Sequence, residues 1–284
     1  VLTRECASGT FAGSGSSGSM RLPLVLSTVW VVLAACADGQ TPVPSDGAGA
    51  ATETAPVVVA DGREASDGMS EDALPAWTAS PALQAAVAAA RVHWTAREPG
   101  YEEEVRVLAV AEGAFTQPDA DQHVVLYLMG LWPRCCPKVG LAVVEGGVDG
   151  RLVRNTAFEG STQGLHALPD LDGDGRAEVA LLSSFGMGGS EERSVQIASF
   201  GQDGTHAWGG TGLYSGACGA LRDGEEAVRV VAVPATAPGG TPSFMAERYT
   251  RATCEGGAWV PSGGPEPITF AAPEPSPYTD LPAE

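Results

Sequence analysis

Four acids within nine residues carry the clearest chemistry in this chain of 284. In Pro169-Asp170-Leu171-Asp172-Gly173-Asp174-Gly175-Arg176-Ala177-Glu178-Val179-Ala180-Leu181, oxygen donors stand at loop positions 1, 3, 5 and 9. Alternation points Asp170, Asp172 and Asp174 inward, Gly175 permits a sharp turn, Arg176 offers its backbone carbonyl, and Glu178 closes the cage. Carboxylates this close repel one another unless a cation sits among them. The donor set is all oxygen, which suits Ca²⁺ with its six to eight ligands at ~2.3–2.6 Å better than Mg²⁺, which prefers strict octahedral geometry and keeps its waters. The alternative is an acidic surface turn that binds nothing at physiological calcium. An EF-hand would need Glu at position 12, and this chain has Leu181 there, inside an apolar run.

With the acid at position 9 leading straight into a strand, the segment resembles the calcium loop of FG-GAP (VCBS-type) repeats, the blade unit of the integrin-alpha β-propeller. The resemblance is specific over 169–181 and looser over about 113–259. It implies a loop joining two adjacent strands of a blade, with a structural calcium held by Asp170, Asp172, Asp174, the Arg176 carbonyl and Glu178. This chain departs from the pattern in its last ligand, Glu where Asp is usual. The related segments Asp119-Ala-Asp121-Gln122-His123 and Arg222-Asp223-Gly-Glu-Glu226 lack a full cage. One calcium is therefore expected, not three.

A loop of this kind must hang between strands, and the surrounding sequence supplies them. Short β-branched runs occur at Val105–Ala111, His123–Met129, Val139–Val144, Val179–Ser183, Ser194–Phe200, Ala227–Val233 and Phe244–Tyr249, separated by turn residues. They fall into units: Asp121, Asp172 and Asp223 are 51 residues apart, and Gly150, Gly204 and Gly257 are 54 and 53 apart. A period near fifty with several strands per unit belongs to propeller-like or stacked-sheet architectures. Three units are fewer than the usual minimum of about four blades, so the expectation is a mainly β fold of antiparallel meander units, a partial propeller or stacked sheets, not a closed ring. Before them, Ser80 as N-cap and Pro81 at the first helical position open one helix, with Leu83, Val87 and Trp94 on one face.

Four cysteines, Cys135, Cys136, Cys218 and Cys254, read as disulfides in an exported protein, with three connectivities open. Cys218–Cys254 within the third unit is favoured; the alternative ties Cys135 and Cys136 one each to Cys218 and Cys254. Zinc is disfavoured because no CxxC occurs and the four histidines fall near no cysteine pair. No nucleophile elbow is present, and Gly186-Met-Gly188-Gly189 lies between strands where a hairpin loop belongs, so no catalytic residue is assigned.

The ends speak of location. From Met20, Arg21 precedes a short apolar run ending in Leu33-Ala34-Ala35-Cys36, too short to span a bilayer. This tetrapeptide resembles the lipobox of bacterial lipoproteins, which implies removal of residues 20–35 and lipidation of Cys36. Acyl chains at ~0.8 kcal/mol per buried CH₂ would then anchor the protein without a spanning helix. Residues 1–19 read as an extension upstream of the start at Met20. Residues 36–80 read as a flexible tether, 81–262 as the β-rich repeat domain, and 263–284 as a Pro-rich tail or surface strap.

The chain carries 35 Asp+Glu against 16 Lys+Arg, a formal charge of −19, which excludes nucleic acid as a natural partner. Its 44% hydrophobic content is enough for a core, while 37 Gly and 21 Pro predict many turns. The reading is a lipid-anchored, non-catalytic binding or structural module of the bacterial envelope, on the periplasmic face or the cell surface. Its loops would contact an envelope protein or glycan. The alternatives are a hydrolase of an envelope polymer and an inhibitor or immunity-type lipoprotein.

Overall fold

The structure is a computed structural model that describes residues 55–64, 74–98, 100, 102–132, 135–187, 189–217, 224–252, 257–271 and 276–283. In chain order it runs β1 (Val57–Asp61), α1 (Leu74–Thr78), α2 (Pro81–Arg97), β2 (Glu102–Gly113), β3 (Gln122–Trp132), β4 (Cys135–Glu145), β5 (Arg151–Glu159), β6 (Thr162–Leu168), β7 (Glu178–Met187), β8 (Ser190–Gly201), β9 (Gly204–Ala217), β10 (Glu225–Val233), β11 (Ser243–Arg251), β12 (Val260–Pro261), β13 (Glu266–Ile268) and β14 (Thr279–Leu281). The fold is mainly β, as expected, with all pairings antiparallel. One sheet has the order β14-β5-β4-β3-β2; the other runs β12-β11-β10-β9-β8-β7-β6, with β1 on β10 and β13 on β11.

Strict alternation in the central strands explains how these sheets stack. Val124, Leu126 and Leu128 of β3 join a core with Val179 and Leu181 of β7 and Phe200 of β8. The intervening Val125, Tyr127 and Met129 face a second core built with Leu83, Val87 and Trp94 of α2. On β7 the same alternation sends Ala180 into a third core with Val59 of β1, Val230 of β10 and Phe244 of β11. Strands buried on both faces read as continuous apolar runs, which is why Val-Val-Leu-Tyr-Leu-Met stands out in the sequence. The layers are therefore helices, β2–β5, β6–β9, and then β1 with β10 and β11.

The helix forms as its cap and pattern predict: Ser80 Oγ accepts from the Leu83 N–H at 3.4 Å, and the buried face is Leu83, Ala86, Val87, Ala90 and Trp94. It is locked to the sheet through buried Asn155, whose amide donates to the Ala86 carbonyl at 2.9 Å and whose oxygen accepts from the Tyr127 hydroxyl at 2.7 Å. Only glycine can stand at Gly140, because a Cβ there would lie 2.2 Å from the Tyr127 ring.

Two boundaries move. The stretch 36–80, read as a tether, contains β1 and α1: Val57–Asp61 pairs with Arg229–Ala232, and Trp77 is buried beside His123. A five-residue strand buries too few side chains to show a period, so it passes for linker. The tail 263–284 is a strap. Its β13 pairs with β11, its β14 pairs with β5, and Tyr278 is buried between the sheets. Sequence reading also passed over β5, β6 and β9, the last diluted by Gly209, Gly210, Gly212 and Gly216.

Residues 1–35, Cys36, Cys218 and Cys254 lie outside the described residues, as do the side chains of Cys135 and Cys136, whose backbone opens β4.

Candidate metal centre

The acidic loop joins β6 to β7, two paired neighbours, and local chemistry shapes it. Asp170 accepts from the backbone N–H groups of Gly173 (2.7 Å), Asp174 (3.1 Å) and Gly175 (2.8 Å), curling the chain around its carboxylate. Asp172 accepts from Asp174 N–H at 3.1 Å and Asp174 from Arg176 N–H at 2.9 Å. Gly173 and Gly175 take φ of 78° and 86°, the left-handed region that favours glycine. Leu171 points the other way and is fully buried, anchoring the loop in the third core.

The result is a cluster. One carboxylate oxygen from each of Asp170, Asp172, Asp174 and Glu178 lies within 4.8 Å of the others, so the site could hold a metal ion. The structure thus brings together all four predicted acids. Arg176 lies in the same loop, with its guanidinium on the Asp174 carboxylate.

Neighbouring loops clamp this one on both sides. Ala177 N–H donates to the Ala114 carbonyl at 2.8 Å, Ala235 N–H to Leu171 at 2.7 Å, and Gly240 N–H to Asp172 at 2.9 Å. A Cβ on Gly175 would stand 3.0 Å from Pro118, and one on Gly173 3.0 Å from the Ala237 carbonyl. The site is therefore the middle of three turns, between β2 and β3, β6 and β7, and β10 and β11.

These three turns correct the repeat register. Their equivalent positive-φ residues are Asp119 (58°), Gly175 (86°) and Gly239 (68°). The aspartates spaced 51 apart in sequence are therefore not the structural equivalents, and Asp223 lies outside the described residues. In this register Glu178 matches Gln122. Both residues open a strand, both are 1% exposed, and both reach back seven residues to a fully buried apolar neighbour. Glu178 accepts from Leu171 N–H at 2.8 Å, and Gln122 accepts from Phe115 N–H at 2.9 Å. Sequence reasoning missed Gln122 as a counterpart because the turns are embedded in units of unequal length.

No protein family, curated protein or solved structure matches this chain.

The electrostatics of the acidic loop follow chiefly from burial, its own cation, Arg176, being paired with Asp174. Burial pushes the Glu178 carboxyl up to about 8; the Leu171 N–H opposes this, and Asp172, Asp170 and Asp174 add to it. Asp172 is raised too, chiefly by burial and then by Asp174. In the metal-free protein, stability from the Glu178 proton is fully present below the ordinary value of 4.5 and lost as pH rises through about 8. A cation must displace that proton. If the cluster takes a metal ion, the affinity is therefore expected to rise about tenfold per pH unit below pH ~8 and to level off above it, with release of about one proton, in titrations from pH 6 to 9. An affinity independent of pH over that range would contradict the proton-for-metal exchange.

Proposed function

We propose that the Asp170–Glu178 loop binds one Ca²⁺ and that the ion is structural, stapling together the three turns at one end of the stacked sheets. Asp170, Asp172, Asp174 and Glu178 would supply the carboxylates and Arg176 its carbonyl. The observation that carries this reading is the convergence of four acids within 4.8 Å in a loop held on both sides by backbone hydrogen bonds. Such a site has a set shape before the ion arrives, and its excess negative charge is what an oxygen-seeking cation relieves.

The likeness of the loop to FG-GAP/VCBS repeats supports the same assignment. Taken with the lipobox-like Leu33-Ala34-Ala35-Cys36, it makes the protein an exported, lipid-anchored, non-catalytic module of the bacterial envelope that contacts a protein or glycan. A hydrolase of an envelope polymer would instead need two carboxylates ~5–10 Å apart in a cleft, one of them holding a proton. In the cleft beside β1, burial of Asp61 is outweighed by its hydrogen bonds and charge contacts with Arg63, so its carboxyl sits below the usual range, the opposite of what a general acid needs.

Thermal unfolding tests the calcium assignment. Excess calcium is expected to raise the wild-type Tm by roughly 5–10 °C, and chelator to remove the gain, for a site of Kd ~10⁻⁴ M saturated a hundredfold. Asp172→Ala should show one Tm in both conditions. A wild-type Tm that does not move with calcium sinks the assignment.

A further inference from the structure

Farther along the face of β6–β9 that carries the third core, β1 ends and leaves a cleft of about 450 Å³, within the range of small-ligand pockets. It is separate from the acidic loop and independent of the calcium reading. Val58 and Leu182 form the accessible apolar part of its lining, over the buried Val59 and Leu213, and His166, Arg193 and Arg229 bring the polar groups.

The charge of this cleft is unlike that of the chain. Against a total of −19, it gathers Arg63, Arg193 and Arg229 with only Asp61 and Glu64. Arg63 already occupies Asp61, donating through Nε to both carboxylate oxygens at 2.9 and 3.2 Å. The other two arginines retain donors. Arg193 is stacked on Tyr214, gives Nη1 to the Glu64 carbonyl at 2.6 Å, and has Glu191 at 3.4 Å as its ion pair, while its buried Nε makes no hydrogen bond. Arg229 gives Nη1 to Glu247 at 3.0 Å, and its Nε lies 3.9 Å from Asp61. No hydrogen bond among the described residues uses Nη2 of either one, and planar guanidinium groups favour carboxylates.

His166 adds an acceptor. Its Nε2 lies 2.7 Å from the Val59 carbonyl, which can only accept, so Nε2 carries the hydrogen and Nδ1 presents a lone pair. Burial lowers its pKa, opposed by the Val59 carbonyl, which keeps the ring neutral near pH 7.

We propose that this cleft binds the C-terminal end of a peptide, with the carboxylate on Arg193 and Arg229, the last amide N–H on His166 Nδ1, and an apolar terminal side chain against Val58 and Leu182. The three functional groups of such an end, anion, N–H donor and hydrocarbon, match the three kinds of group in the lining.

N-acetyl-L-leucine carries all three groups, and N-acetyl-L-leucinamide lacks only the charge. Titrated into the full protein and followed by NMR, the acid is expected to saturate at about millimolar Kd and the amide to bind at least about tenfold more weakly. Arg229→Gln should cost the acid about tenfold and leave the amide unchanged, with Tm read alongside to confirm folding. The acid–amide comparison on wild type stands even if the variant misfolds. Equal binding of acid and amide, acetate binding as tightly as the acid, or no saturation by about 20 mM would each overturn the proposal.

Discussion

Glu178→Gln is expected to abolish the response to calcium while leaving the metal-free protein at least as stable as wild type at pH 8. The protein already contains the experiment in its first turn. There Gln122 is as buried as Glu178 and accepts from Phe115 and Thr116 N–H groups at 2.9 and 2.8 Å, and its amide donates to Thr116 Oγ1 at 2.7 Å. An amide therefore serves the backbone of this turn as well as a carboxylate does, without the cost of burying a charge. What it cannot do is supply the last anionic oxygen of a calcium cage. In Glu178→Gln, the pH-dependent loss of stability that accompanies ionisation of Glu178 through about 8 should disappear as well. Retention of a calcium-induced rise in Tm by this variant would show that Glu178 is no ligand.

The second large effect concerns Lys138, the only lysine in the chain. Its ammonium lies 2.8 Å from Glu98 and 3.0 Å from Glu159 and 4.7 Å above the Trp94 ring, while its side chain is 2% exposed. Burial alone would lower its pKa, but hydrogen bonds to Glu98 and Glu159 outweigh this and raise it, so the group is charged at every physiological pH. It pins the end of α2 to β4 and β5. Lys138→Ala removes the charge, the packing over Trp94 and the partner of two carboxylates at once. The expected loss is about 2–4 kcal/mol, most of it lost packing, or roughly 5–10 °C in Tm. Lys138→Met keeps the apolar stem, and Glu98 and Glu159 are exposed enough to turn to water, so it should lose less than half as much. Equal losses for the two variants would mean that the ion pairs dominate over packing.

How far the molecule could be read from its sequence depends on the range of each signal. The four acids were legible because Asp170, Asp172, Asp174 and Glu178 share one short loop, where spacing alone brings their oxygens together. The central strands were legible because burial on both faces leaves unbroken apolar runs such as Val124–Met129. The equivalence of Glu178 and Gln122 was not, because turns in units of unequal length drift out of a fixed period. The strand Val57–Asp61 escaped for another reason: its partner, Arg229–Ala232, is far away in sequence, and nothing local marks it. The same holds for the arginine-lined cleft. Its residues come from six strands and the turn after β1, so neither spacing nor composition could assemble it.

Calorimetric titration of chelator-stripped protein with calcium at pH 8 tests the central claim most directly, because it counts ions. One Ca²⁺ per chain is expected, with Kd in the ~10⁻⁵ to 10⁻³ M range of extracellular modules, and none in Glu178→Gln. Absence of saturable binding to wild type, or a stoichiometry of two or three, would contradict it.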